Sequence, residues 1–289
     1  MLVDSHCHLT HERYEGDLSG VLERAREGAV GSVVVIASDL DDAVRVRDLL
    51  DTGPRTPTLV GTAGVHPHQA GSAGSDLRPR LEEALDAHPR VVAVGECGLD
   101  FHYDFSPRDV QRRVFELQLQ VAGDRGLPAV VHCREAEEEM IPLVREAGAA
   151  GVTGVLHCFP GHLPLLEAAM EAGWLVSFTG LVTFPSWDGT ESVRAVPGDR
   201  YMLETDGPYM APVPHRGKRN EPAWVPRIRD RVAELRGEDP DAVARDTTGN
   251  ARRFFGLAEI WTAGGGADPG GEPADSARGA SRPSSSPEP

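Results

Sequence analysis

Short apolar segments alternate with amphipathic segments along most of this chain. Eight apolar runs rich in β-branched residues are each followed by Gly or Pro and then by more polar sequence, as is typical of buried parallel strands. We predict strands at residues 2–5, 32–37, 59–65, 91–95, 129–132, 154–158, 174–179 and 201–205. Apolar positions three and four apart predict helices at residues 18–27, 40–50, 77–88, 107–125, 135–147, 163–172 and 222–236.

Strands that alternate with helices predict a parallel sheet joined by right-handed crossovers, and therefore the α/β class. Eight such units in roughly 250 residues match a (β/α)8 TIM-like barrel. An open, doubly wound sheet is the alternative that the same alternation allows.

The composition changes near residue 262, where Gly, Pro and Ser replace most apolar residues. Such a segment cannot bury enough apolar surface to offset the entropy of ordering its backbone. We therefore expect a barrel domain at residues 1–261 and a disordered tail at residues 262–289.

Charge and cysteine content limit the expected partners. The 289 residues carry a formal net charge of −16, which disfavours a broad basic face for duplex DNA. We recognise neither a secretory signal nor an apolar run long enough to span a membrane. Four cysteines without a framework spacing fit a reducing compartment. We expect a cytoplasmic monomer without a membrane partner.

Residues able to bind metal ions follow several predicted strands. In a (β/α)8 barrel, the carboxyl ends of the strands form the rim where active sites lie. His6 and His8 are two residues apart, so an extended backbone directs both imidazoles to one face. The further candidate ligands on this rim are Glu96, His132, His157 and Asp206.

Four imidazoles and two carboxylates exceed the needs of one zinc-like ion with an open coordination position. They suit two divalent ions with a water between them, and Asp206 is the expected acceptor of its proton. Glu96 is the expected bridge, because a carboxylate has two oxygens. The donors fit Zn, Mg, Mn, Co or Ni and do not select among them. We assign His6, His8 and Asp206 to the first ion, and His132 and His157 to the second.

The cysteines directly follow four of the predicted ligands. A residue next to an inward-facing ligand points outward, toward the helices. We therefore predict small buried side chains rather than thiolate ligands. They are Cys7, Cys97, Cys133 and Cys158.

Side chains near the same rim are candidates for binding substrate. Arginine and lysine suit an anionic oxygen such as that of phosphate, although an ion pair or a solvated loop are the alternatives. Phe101, Tyr103 and Phe159 could stack on a base or pack in the core. The predicted substrate contacts are Arg134, His66, His68, Glu204, Lys218 and Arg219.

Together these motifs resemble those of the TatD family of metal-dependent hydrolases over residues 1–257. The motifs are Asp4-Ser5-His6-Cys7-His8, Gly64-Val65-His66-Pro67-His68, Gly95-Glu96-Cys97-Gly98-Leu99-Asp100-Phe101, His132-Cys133-Arg134, His157-Cys158-Phe159 and Glu204-Thr205-Asp206-Gly207-Pro208-Tyr209. The resemblance implies a TIM-like barrel of the metal-dependent hydrolase type, with the six ligands proposed above. Cys97 and Gly207 depart from the family pattern, and neither is a predicted ligand.

Members of that family are similar to 3′–5′ DNA and RNA exonucleases, and some hydrolyse D-aminoacyl-tRNA. We therefore expect a hydrolase of ester bonds, in particular a 3′–5′ exodeoxyribonuclease that acts on single-stranded DNA or RNA ends with two divalent ions. The alternative is a D-aminoacyl-tRNA deacylase, or another acyl or amide hydrolase, on the same ions. A non-catalytic binding protein is disfavoured because all six ligand residues are present.

Overall fold

The computed structural model describes residues 1–54 and 56–257, so the predicted tail at 262–289 lies outside the described residues. Eight strands form one parallel sheet in sequential order. All eight predicted strands are present, although several end at other residues than predicted. They are β1 Leu2–Cys7, β2 Val30–Val35, β3 Thr58–Ala63, β4 Val91–Asp100, β5 Ala129–Arg134, β6 Gly154–Leu156, β7 Leu175–Phe178 and β8 Tyr201–Leu203.

The helices follow the strands in the predicted alternation. They are α1 Leu18–Glu27, α2 Leu40–Thr52, α3 Leu77–Asp86, α4 Arg108–Arg125, α5 Glu137–Ala149, α6 Leu163–Glu171, α7 Thr190–Ala195, α8 Val225–Arg236 and α9 Pro240–Phe254. The short α7 and the C-terminal α9 were not predicted. Among the described residues, no helix is both long and apolar enough to traverse a bilayer.

The barrel closes between β1 and the segment after β8. The backbone N–H of Asp206 donates to the carbonyl of His6 at 2.9 Å, and that of His8 donates to the carbonyl of Gly207 at 2.8 Å. Below them, the buried carboxylate of Asp4 accepts from the backbone N–H of Thr205 at 2.9 Å and from its hydroxyl at 2.5 Å. These bonds join the first and last strands, so the barrel prediction is confirmed and the open sheet is excluded.

Apolar side chains fill the lower half of the barrel interior, toward the amino ends of the strands. The strands contribute Val3, Val34, Val60, Ala93, Val130, Val155, Leu175 and Met202, and Ile36 directly follows β2. Ala251 of α9, with Phe255 and Leu257 just after it, packs against this layer and covers the end of the barrel. Within the described residues, a cleft therefore opens at the carboxyl ends of the strands.

Candidate metal centre

A β-bulge near the end of β1 directs His6 into the barrel. Asp4 pairs with Val33 and Cys7 with Val35, so three steps along β1 match two along β2. The extra residue reverses the alternation of side chains. Val3 and His6 therefore both face the interior, although they are three residues apart. The backbone bonds to Asp206 and Gly207 then fix this end of β1.

A second bulge directs Glu96 inward in the same way. Val94 pairs with Ala129 and Cys97 with Val131, which leaves one extra residue on β4. Gly95 makes the bulge possible, because its φ of 145° favours glycine and a Cβ there would lie 2.6 Å from the carbonyl oxygen of Val130. The predicted end of this strand at residue 95 was wrong. The strand continues to Asp100, so Glu96 lies within it.

Four donor atoms converge on one point to form what we call the first donor set. His6 Nε2 and His8 Nε2 are 3.3 Å apart. They lie 3.4 and 3.5 Å from Glu96 Oε2, and 3.7 and 3.6 Å from Asp206 Oδ1. Ligands about 2.1 Å from a tetrahedral ion are separated by about 3.4 Å. The spacing therefore fits one divalent cation.

Glu96 Oε2 provides an independent test of that fit. It is buried and has no hydrogen-bond partner among the described residues. A buried carboxylate oxygen without a partner is costly, because it loses its hydration without compensation. A cation bound by His6, His8 and Asp206 would supply the missing partner, so the residues present suit a metal ion.

The other carboxylate oxygen belongs to a second donor set. Glu96 Oε1 lies 2.7 Å from His157 Nε2, 3.0 Å from His132 Nδ1 and 3.5 Å from His66 Nε2. His132 Nδ1 and His157 Nε2 are themselves 3.1 Å apart. The two oxygens of Glu96 thus face different sets of imidazoles, which is the arrangement expected of a bridging carboxylate. His66, predicted only as a substrate contact, forms a group with Glu96 and His132 that could hold a metal ion.

Asp100 holds two histidines of the site and was missed at the level of sequence. Its Oδ2 accepts from His132 Nε2 at 3.1 Å and from His68 Nε2 at 2.9 Å. With Nε2 donating, the neutral imidazole of His132 presents the lone pair of Nδ1 to a metal ion. Burial opposes ionisation of Asp100, but these two hydrogen bonds hold its pKa below the usual range. Its place four residues after Glu96 in the same motif was the available signal.

Glu204 lies behind the site and not in its wall. The side chain is 1% exposed. Its Oε1 lies 3.3 Å from His157 Nδ1 and accepts from the backbone N–H of Cys158 at 2.7 Å. Its Oε2 accepts from the hydroxyl of Ser177 at 2.6 Å. We therefore correct the predicted substrate contact: with both oxygens buried and bonded, Glu204 orients His157.

The two donor sets differ in protonation when no metal is bound. Burial, followed by the charge of His6, lowers the pKa of His8 to about 4, and burial also lowers that of His6. Burial opposes a charge on His157 as well, but Glu96 and Glu204 raise its pKa well above the usual value. The two imidazoles of the first set are therefore favoured in the neutral form that binds a cation, whereas a cation at the second set competes with a proton on His157.

The carboxylates of the site also depart from their ordinary behaviour. Burial raises the pKa of Asp206 well above its usual value, and the charge of Glu96 raises it further against the effect of His157. Burial acts on Glu96 in the same direction, but His157, His66 and His6 outweigh it and hold its pKa well below the usual range. The negative form of Glu96 is therefore favoured between the two donor sets.

A cleft of about 890 Å³ opens above the donor atoms. Its wall includes His66, His68, Arg134 and Lys218, four of the predicted substrate contacts. Arg219 is not among the lining residues. Its guanidinium donates to Asp17 at 2.5 Å and to the carbonyl of Arg13 at 3.0 Å. We therefore correct its predicted role. Arg219 stabilises the loop after β8, because its guanidinium already donates to Asp17 and to the carbonyl of Arg13.

The cysteines lie away from the donor atoms. Cys7, Cys97 and Cys133 are buried in the core outside the barrel, as predicted from strand alternation. Cys158 is partly buried, with its Sγ 3.4 Å from the hydroxyl of Thr179. Burial raises the pKa of every one of these thiols, to about 12 for Cys158. Thiols in this state are poor metal ligands.

Comparisons with known proteins identify the family to which the chain is similar. The profile of the TatD related DNase family matches residues 3–256. YabD of Bacillus subtilis, an uncharacterized metal-dependent hydrolase, is 38% identical over 88% of this chain and 99% of its own length. A Rahnella protein named 3′-5′ ssDNA/RNA exonuclease TatD is 37% identical over 86% of this chain and 96% of its own length.

The fold agrees as well. The crystal structure of YJJV, a TatD homolog from Escherichia coli, superposes with a TM-score of 0.82 at 27% identity, and the match covers 88% of this chain and 98% of that one. The sequence match, the barrel and the His/Asp/Glu donor sets lead to one family. The chain belongs to the TatD family and is a metal-dependent hydrolase.

Proposed function

We propose that this chain is a 3′–5′ exonuclease that hydrolyses phosphodiester bonds at single-stranded DNA or RNA ends with two divalent ions. One observation carries the proposal: the two oxygens of Glu96 face two donor sets at the floor of an open cleft. Two ions held by a shared carboxylate are typical of enzymes that cleave phosphate esters.

The residues of the site have different roles in this reaction. His6, His8 and Asp206 would hold one ion, His132 and His157 the other, and Glu96 both. When bound, such ions lower the pKa of a water and stabilise negative charge on a phosphoryl group. Asp206, a member of the first set, lines the cleft, where its ionised carboxylate would accept the proton of the attacking water. Asp100 and Glu204 keep His132 and His157 in orientation.

Cations in the wall of the cleft bind the nucleic acid backbone. Arg134 is the last residue of β5, and Lys218 lies in the loop after β8. Both line the cleft, so a strand that enters it meets one cation from the end of β5 and one from this loop. A few local cations suffice for single-stranded ends, despite the net charge of −16. The name of the Rahnella relative supports this choice of substrate.

The direct test uses full-length protein stripped of metal and reloaded separately with Mg²⁺, Mn²⁺, Zn²⁺, Co²⁺ or Ni²⁺. A 5′-labelled single-stranded oligonucleotide should shorten one nucleotide at a time from its 3′ end with at least one of these metals. Glu96→Gln protein, purified identically, is the control for a contaminating nuclease and should be inactive.

A parallel assay on a D-aminoacyl-tRNA distinguishes the alternative function. Deacylation by the reloaded protein, with every oligonucleotide left intact, would overturn the exonuclease proposal in favour of an acyl hydrolase. Cleavage in the interior of the oligonucleotide would keep the phosphodiesterase chemistry but refute the 3′–5′ direction.

A further inference from the structure

Two exposed aromatic rings stand at the mouth of the cleft, in the loop between β4 and α4. Tyr103 and Phe105 stack on each other with ring centroids 5.1 Å apart and planes 11° apart. Tyr103 is 48% exposed and Phe105 is 67% exposed. Both line the cleft. Neither ring is buried in the core, so the fold does not account for this pair, and exposed aromatic surface of this kind indicates a binding site.

The neighbouring aromatics show what packing looks like in this region. Phe159 is buried in the outer core. Phe101, at the start of the same loop, packs against that core. The guanidinium of Arg108 lies over the Phe101 ring, 4.2 Å from its centroid. Of the three rings considered from sequence, only Tyr103 reaches the cleft, and Phe105 joins it there.

The aromatic pair is connected to the metal centre through His68. The His68 ring meets Phe105 edge-on at 4.8 Å and Tyr103 at 5.4 Å between centroids. His68 in turn donates to Asp100, which also holds His132 of the second donor set. A planar group that stacks on Phe105 is therefore held a short distance from the donor atoms.

A cation accompanies the rings. The Arg134 guanidinium lies over the Tyr103 ring, 4.8 Å from its centroid. This contact leaves Arg134 ordered at the cleft, where it can meet an anionic oxygen. A stack of aromatic surface beside a cation matches a nucleotide, which offers a flat base and a phosphate a few bonds apart.

We infer that Phe105, supported by Tyr103, is a stacking subsite for a nucleobase at or next to the 3′ end of the substrate. The inference rests on the proposed function and adds a recognition element to it. Stacking depends on the π-face that every base offers, so the subsite accepts all four bases. It makes the bases, and not only the phosphates, part of what the cleft binds.

The test compares two single-stranded oligonucleotides of equal length and charge. One carries bases throughout, and the other lacks the bases of its last three residues. Both have phosphorothioate linkages at the 3′ end, which resist hydrolysis, so that Kd can be measured by fluorescence anisotropy on the metal-loaded protein. Because one stacked base is worth on the order of tenfold in affinity, the wild type should bind the complete strand about tenfold more tightly.

Substitutions of Phe105 test whether its ring causes the preference for the complete strand. Phe105→Leu keeps the apolar character and removes the π-face, so it should weaken binding of the complete strand about tenfold and leave the abasic strand unchanged. Phe105→Trp should retain the preference. Phe101→Leu, a change of the same kind in the same loop, is the matched control and should retain it as well. Melting temperatures check that every variant is folded.

Two results would overturn the subsite: equal affinity of the wild type for both strands, or a Phe105→Leu variant that keeps the full preference. Either can occur while ordinary oligonucleotides are still degraded, in which case the exonuclease proposal stands. If nothing is degraded but the base preference and its loss in Phe105→Leu are measured, the subsite stands and the proposed reaction fails.

Discussion

The lower and upper halves of the barrel interior are built by the same strands and have opposite chemistry. β1 contributes Val3 below and His6 above, and β4 contributes Ala93 below and Glu96 above. The lower half is apolar and covered by Phe255 and its neighbours. The upper half holds imidazoles and carboxylates, including a buried oxygen of Glu96 for which the described part of the chain offers no hydrogen-bond partner.

This difference shows that the stability of the fold and the chemistry of the site depend on different parts of the barrel interior. Burial of apolar surface in the lower half stabilises the fold. Burial of charged groups in the upper half is unfavourable unless a cation compensates it. The two halves meet at the bulges of β1 and β4. Substitutions in the upper half should therefore affect activity more than folding, and substitutions in the lower half the reverse.

Glu96→Gln should have the largest effect. It removes the charge shared by both donor sets, so kcat/KM on a single-stranded oligonucleotide should fall by at least about 10³-fold. A bound metal stabilises the folded state by mass action, and the variant should lose most of that gain. The measurements are initial rates, and melting temperatures with and without Zn²⁺. An exposed carboxylate on α4 provides the control Glu116→Gln, and a wild-type rate in Glu96→Gln would refute the bridge.

Phe255→Ala should have the next largest effect, on stability. Phe255 is 2% exposed in the covered end, and removal of a buried phenyl ring costs roughly 3–5 kcal/mol. The free energy of unfolding in urea should fall by this amount. The folded variant at 20 °C should keep kcat within about twofold, because Phe255 does not contact the metal centre. Phe254→Ala, at an adjacent and only partly buried ring, should cost less. A large fall in kcat with unchanged stability would contradict the separation.

Asp100→Asn should lower activity by about 10–100-fold, because it changes the partner that orients a metal-binding imidazole. The amide oxygen can still accept a hydrogen bond from His132 or His68, but it lacks the negative charge that strengthens both hydrogen bonds. Metal affinity should fall together with kcat, whereas Kd for the oligonucleotide should remain near the wild-type value. Asp104→Asn, in the loop that follows Asp100 and in an ion pair with Arg108, is the matched control. Unchanged metal affinity in Asp100→Asn would contradict the positioning role.

Lys218→Ala should have the smallest effect, on binding alone. Loss of one phosphate contact should make the slope of log Kd against log salt concentration shallower by about 0.7, with kcat unchanged. Lys218→Arg keeps the charge and should restore the slope. If the slope is the same in Lys218→Ala and the wild type, Lys218 does not contact the backbone of the substrate.

Much of this arrangement was predictable because it depends on local pattern. Alternation of apolar runs and helical segments predicted all eight strands and the barrel. Strand alternation also predicted the outward direction of Cys7 and Cys133. Helix α9 was not predicted, because it follows the helix that completes the eighth strand–helix unit. Its signal was present, since Asp239 caps the helix and Pro240 begins it.

The errors at Glu204 and Arg219 have a different origin. Both residues lie close to other predicted site residues in sequence, and proximity in sequence does not reveal which way a side chain points after a strand has ended. Glu204 turns inward to Ser177 and His157, and Arg219 turns back to Asp17. Such partners are nearly 30 to more than 200 residues away in the chain, so only the folded structure brings them together.

The sequence by itself determined the order of the strands, the buried lower layer and the residue types available at the upper rim, because periodicity and donor chemistry are local properties. Only the tertiary structure decided how those donors are shared. The bulges reverse the alternation in β1 and β4, and closure of the barrel brings Asp206 beside His6 and His8. The division of Glu96 between two donor sets follows from distances between strands, which no single segment of the chain encodes.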